Sequence, residues 1–146
     1  MLAHEYHHTI WGYNYFAVQG YTKMDLLTGL IVDGQADSFA GALFPDLSPL
    51  WVRGLTPQQE ASLWLEVRSR LQSEDPADYR RFMFGDEAAG IPWCAGYTLG
   101  YRLVQNYLHT HPSLSWGELL DINPWDIYQT AMENIPESKS INAKCS

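Results

Sequence analysis

The opening residues carry the densest chemistry in the chain. His4-Glu5-Tyr6-His7-His8 sets two histidines four residues apart, with a glutamate directly after the first. On an α-helix, residues four apart stack one turn above each other, so His4 and His8 can offer their imidazoles to one metal ion. Zinc suits such ligands and lowers the pKa of a water it holds to about 7, which makes hydroxide available at neutral pH. Glu5, beside them, is placed to take that water's proton. His7 fits the metal face less well and is expected behind the ligands or at the surface. The bland alternative is a surface helix that happens to begin with three histidines.

A catalytic zinc keeps three protein ligands and one open position, so a third ligand is needed. Leu26, Leu30, Asp33 and Asp37 fall on one helical stripe, which puts two carboxylates in line with an apolar face. Burying a charge there is costly unless it binds a metal or a paired donor. Asp33 as ligand, with Asp37 holding the far nitrogen of a ligand histidine, removes that cost for both. The alternative is a stripe that turns outward past Leu30 and leaves both aspartates solvated. Gly34, Ala36 and Ala40 are small and would let this helix approach the first closely.

Amide hydrolysis at such a centre builds negative charge on the carbonyl oxygen, and a Tyr, His or Arg opposite the metal can stabilise it. Gly96-Tyr97-Thr98-Leu99-Gly100-Tyr101-Arg102 offers Tyr97 first, Tyr101 second and Arg102 third. Tyr97 and Tyr101 share a helix face, and the two glycines permit close packing. Both tyrosines read equally well as amphipathic core residues with satisfied hydroxyls. His109 and His111 lie near a helix end and are expected at the surface.

These residues need helices to place them, and the chain reads as a succession of helices. The first spans residues 3–16. Gly20 breaks it, and Thr22 is expected to cap a second helix running to about Ala42. Residues 44–55 hold two prolines and a glycine and read as a loop. Thr56-Pro57-Gln58-Gln59 is a capping box with proline at the first helical position, opening a third helix to about Leu71. Asp75-Pro76 starts a short fourth helix ending before Gly85, and a fifth runs from about Cys94 to His109. Ser115 with Glu118 makes another capping box, and Asn123-Pro124 opens the last helix. No alternating strand pattern is present, so the fold is expected to be all-α: one domain over residues 1–134, then a polar tail over 135–146.

Composition narrows the partners. A chain of 146 residues, 46% hydrophobic, with six Trp and nine Tyr, can bury a real core. The net charge of -8 argues against nucleic acid or an anionic membrane as the main partner. No apolar run is long enough to span a bilayer. Without a visible export signal the cytoplasm is the default expectation. Cys94 and Cys145 do not form a disulfide framework; the first is expected to be a half-buried thiol and the second a tail residue.

The motifs occur in an order that carries a resemblance. His4-Glu5-Tyr6-His7-His8 is followed by Asp33-Gly34-Gln35-Ala36-Asp37-Ser38-Phe39-Ala40, then Arg81-Phe82-Met83-Phe84-Gly85, then Gly96-Tyr97-Thr98-Leu99-Gly100-Tyr101. This series, over about residues 3–130, resembles a bacterial domain family of unknown function described as predicted zinc-dependent proteases. The resemblance implies a gluzincin-like site on a helical zincin-like fold, with Zn2+ as cofactor. In such enzymes a Glu on the second helix completes the metal shell; here Asp33 takes that position, one methylene shorter, and Asp37 matches the position that orients a ligand histidine. Zincin folds carry an upstream β-sheet whose edge strand holds the substrate by backbone pairing. The chain begins at the metal helix, so that part is expected to be lost, trimmed or supplied by another chain.

The expected function is therefore a zinc metallopeptidase acting on a peptide or protein, with His4, His8 and Asp33 on the metal and Glu5 as general base. The alternatives are a helical module or truncated enzyme that binds zinc without proteolysis, and a helical core whose histidines cap and pack with no metal at all. An open fourth metal position separates the first from the second. An exposed helix pair lacking its sheet also gives the chain a reason to form a homo-oligomer.

Overall fold

The fold is organised around the most apolar helix among the described residues. In the computed structural model, which describes residues 2–134, α2 (Leu26–Leu43) is buried at every position from Leu26 to Ser38. A helix buried on all sides has to be surrounded, and the few polar side chains it carries are costly to bury unless they find partners there. It packs against α1 (Leu2–Gly12), α4 (Pro76–Phe84), α5 (Ala95–Thr110) and α7 (Pro124–Glu133). The remaining helices are α3 (Pro57–Val67) and α6 (Trp116–Asp121). Leu30, Ile31, Phe82, Met83, Leu99, Val104, Leu119 and Ile127 form the centre of the core. Trp11, Tyr15 and Val32 form a smaller cluster at the other end of α1. The expected all-α architecture is what the described residues show. Their one β-feature is a single bridge between Asp86 and Ile91.

Backbone meets backbone where α2 crosses α5. A Cβ added at Gly34 would fall on the Gly100 carbonyl, and one at Gly100 would fall on the Leu30 carbonyl. Gly96 is packed against Met83, Leu30 and Phe82 in the same way. The two glycines of α5 therefore do permit close packing. Gly34 serves α5, however, and not α1 as its size had suggested.

Both capping boxes form, at Thr56 with Gln59 and at Ser115 with Glu118, and Pro76 and Pro124 open their helices. Other boundaries move. Thr22 does not cap α2; Asp25 does, its carboxylate accepting from the backbone N–H and the hydroxyl of Thr28. The first helix continues past residue 16 as a wider-wound segment, Tyr13–Val18, that Asn14 ties to the Leu120 carbonyl. The expected loop at 44–55 contains a short 3-10 turn, Leu50–Arg53. Cys94, expected to be half-buried, is buried, and it adopts a left-handed backbone (φ 64°) as the residue before α5. The polar tail and Cys145 lie outside the described residues.

Candidate metal centre

Helix α1 turns His4 and His8 toward α2, and α2 turns Asp33 and Asp37 toward α1. His4 Nδ1 lies 2.8 Å from Asp37 Oδ1. Its other nitrogen, Nε2, is 2.8 Å from His8 Nε2 and 3.7 Å from Asp33 Oδ1. His8 Nε2 is 3.3 Å from the same Asp33 oxygen. Two imidazole nitrogens and one carboxylate oxygen thus converge, all within 4.8 Å of one another.

The donor set fits zinc. Metal–ligand bonds of about 2.0–2.1 Å imply tetrahedral edges of about 3.3–3.4 Å. The three edges here are 2.8, 3.7 and 3.3 Å. Asp37 fixes the tautomer: with Nδ1 of His4 donating to it, Nε2 is the atom left to face the centre. Two Nε2 lone pairs at 2.8 Å would repel, so a proton or a cation must lie between them. Among the described residues no fourth His, Cys, Asp or Glu joins the group.

Electrostatics follow from this crowding. Burial alone would strip His4 of its proton, but the hydrogen bonds to Asp33 and Asp37 outweigh it and push the imidazole up to about 9. Burial opposes the charge of Asp33 too, and the two histidines overcome it and hold that carboxyl below its ordinary value. His7 is different. It is buried, not exposed, and neither of its ring nitrogens has a hydrogen-bond partner. Burial, reinforced by His8 and His4, lowers it to about 4. Its ring packs near Phe39, 5.9 Å between centroids.

Two donors behind the carboxylates were not legible in the sequence. The Tyr79 hydroxyl donates to Asp33 Oδ2 at 3.2 Å. Trp51 Nε1 donates to Asp37 Oδ2 at 3.1 Å. Each carboxylate therefore gives one oxygen to the histidines and the other to an aromatic donor. Trp51 sits in the 3-10 turn and Tyr79 on α4, and no spacing links either to the histidine helix. One hint existed: the Arg81–Gly85 motif shares α4 with Tyr79.

The remaining candidates separate. Tyr97 is half-buried, and burial first, then the charge of Asp33, with smaller contributions from Cys94, Asp37 and Glu5, pushes its hydroxyl up to about 12. It therefore stays a neutral donor beside the cluster. Glu5 is solvent-exposed on the same helix as the histidines. Tyr101, one turn further along α5, lines a cavity of about 390 Å³ with Asp37, Ser38 and Trp116. Arg102 points away and pairs with Glu60 at 3.3 Å. His109 is exposed, whereas His111 is only partly so and stacks on Tyr107 with 4.2 Å between centroids.

The described residues form a helical domain in which His4, His8 and Asp33 make a cluster that could hold a metal ion. The chain belongs to the family of predicted Zn-dependent proteases (DUF2268), whose model matches residues 1–129. An uncharacterized protein of Bacillus subtilis, YjfC, is 28% identical over 121 residues, covering 76% of this chain. The chain spans 40% of the length of that relative. No solved structure matches, and no helix among the described residues is long and apolar enough to cross a membrane.

Proposed function

We propose that this chain is a zinc metallopeptidase of the gluzincin-like type, hydrolysing peptide bonds of a peptide or protein substrate. His4 and His8 through Nε2, and Asp33 through Oδ1, would hold the ion. Bound there, zinc supplies a Lewis acid and makes a water acidic enough to yield hydroxide near neutral pH. Glu5 takes the proton of the attacking water and returns it to the departing amine. Its solvent exposure suits a group that must meet water and substrate. Tyr97, kept neutral by burial and by the surrounding carboxylates, donates to the carbonyl oxygen as charge develops there. Asp37 keeps His4 in the tautomer whose Nε2 faces the ion. Tyr101 lines the neighbouring cavity, where it would meet substrate beyond the reacting bond.

The observation that carries the reading is the convergence of three ligand atoms within 4.8 Å with no fourth protein ligand among the described residues. Structural zinc sites are closed by four protein ligands, whereas catalytic sites keep a position open. The test is metal content by elemental analysis on the wild type and Glu5→Gln, with a general peptidase assay alongside. One zinc per chain in both, with hydrolysis lost only in the variant, is the expected result. Zinc in both and hydrolysis in neither would replace the peptidase with a zinc-binding module. No zinc in either, even after it is added back, would overturn the site.

A further inference from the structure

We infer that Tyr79 is a positioning residue that makes Asp33 present a single oxygen to the metal, and that Gly29 is the seat that lets it do so. This rests on the metal site proposed above. Asp33 is a short ligand, and a free carboxylate can rotate to exchange its two oxygens or offer both. Here the hydroxyl of Tyr79 engages Oδ2 at 3.2 Å, leaving Oδ1 to face the Nε2 atoms of His4 and His8.

Tyr79 reaches that point because its ring lies directly on the backbone of α2. A Cβ at Gly29 would stand 2.6 Å from Cε2 and 2.9 Å from Cδ2 of the ring, closer than real contacts allow. Gly29 precedes Asp33 by four residues, so it occupies the same helix face one turn away. Any side chain there would displace the ring and with it the hydroxyl. Phe84 packs against the ring, with 6.5 Å between centroids in an edge-to-face arrangement. Phe82 and Met83, both fully buried, fix α4 itself in the core. A glycine seat, an aromatic wall and an anchored helix thus aim one hydroxyl at one carboxylate oxygen.

The test uses Tyr79→Phe, which keeps the ring and removes only the donor, and Gly29→Ala, which displaces the ring. Zinc affinity is read by competition with a chromophoric chelator, and the visible spectrum of the Co2+-substituted protein reports coordination number. Tyr79→Phe is expected to weaken zinc about 10-fold or more, as losses of partners behind a ligand typically do. Its Co2+ bands should also weaken as Oδ2 becomes free to join the ion. Gly29→Ala should reproduce both changes, and the double variant should lose no more than either single one. Wild-type affinity and an unchanged Co2+ spectrum in a folded Tyr79→Phe protein would overturn the role of Tyr79. Additive losses in the double variant would overturn that of Gly29. Failure of the wild type to bind either metal would instead strike the site itself.

Discussion

Replacing Asp37 by Asn removes a charge while keeping the shape, and the structure says why the neutral isostere cannot serve. Asp37 accepts two hydrogen bonds on two different oxygens, from His4 Nδ1 at 2.8 Å and from Trp51 Nε1 at 3.1 Å. An asparagine has one oxygen and one NH2 in those places. Whichever way the amide turns, its nitrogen faces a donor, and one N–H loses its acceptor. That loss costs about 1–3 kcal/mol when the group is buried. At roughly 3–5 °C per kcal/mol for a chain of this size, the metal-free protein should melt several degrees lower. If the amide keeps its oxygen on Trp51, His4 also loses its tautomer, and zinc affinity should fall about 10–100-fold. Calorimetry in chelator reads the first effect and a zinc competition titration the second. Trp51→Phe supplies the internal control: it removes the competing donor, so the double variant should be less destabilised than the sum of the single ones by about 1 kcal/mol. Unchanged melting and unchanged zinc affinity in Asp37→Asn would refute the reasoning, as would strict additivity.

Four further outcomes follow from the same geometry. Gly100→Ala drives a methyl into the Leu30 carbonyl of α2, where backbone cannot step aside as a side chain would; it should cost about 3 kcal/mol, the upper end for overpacking, and an unchanged melting temperature would deny the close helix crossing. The metal-free protein should be most stable near pH 6.5. His4 is raised from 6.5 to about 9, so its contribution is complete below 6.5 and is lost as pH rises through 9. His7 is lowered from 6.5 to about 4, so stability also declines as pH falls from 6.5 through 4; the depressed Asp33 adds to the acid loss below its ordinary 3.8. Zinc requires neutral His4, so binding at pH 7.5 should release a proton, measurable by calorimetry in buffers of different ionisation heat; no release would contradict the His4–carboxylate coupling. Tyr97→Phe should lower kcat about 100-fold with zinc content intact, while Tyr101→Phe should leave kcat nearly unaltered; equal effects would reject the separate placement of the two hydroxyls.

What the sequence disclosed follows the range of the interactions involved. Capping at Thr56 and Ser115 is settled within four residues, and both boxes form as expected. The pairing of His4 with His8 and of Asp33 with Asp37 is also local, because each pair lies one turn apart on its own helix. That the two pairs face each other was legible only indirectly, through the cost of placing carboxylates on an apolar stripe. The misreadings are physical too. Successive helical residues point about 100° apart, so Gly34 cannot share the face that Asp33 turns to α1. Its missing side chain serves the α5 crossing instead. Thr22 is a good capping residue in isolation, but Asp25 captures both the N–H and the hydroxyl of Thr28. Trp51 and Tyr79 come from elements 14 and 46 residues from the carboxylates they bind, and no periodicity spans such distances.

Asp33, one methylene shorter than the glutamate that the resemblance to gluzincin-like enzymes leads one to expect, gains its meaning only from this tertiary setting. Read alone, a side chain one methylene shorter suggests a ligand that falls short. In place, Asp33 Oδ1 already stands 3.3 Å from one Nε2 and 3.7 Å from the other, close to the edges of about 3.3–3.4 Å that a zinc tetrahedron requires. One more methylene would carry the carboxylate about 1.5 Å further. That distance would press it into the imidazoles or pull it away from the Tyr79 hydroxyl. The short acid is therefore matched to the spacing of α1 and α2, and the donor on α4 is matched to the short acid. Under the proposed metal site, ligand length, helix separation and the Tyr79 contact form one fitted set, so Asp33→Glu alone is expected to weaken zinc binding, as a competition titration would read.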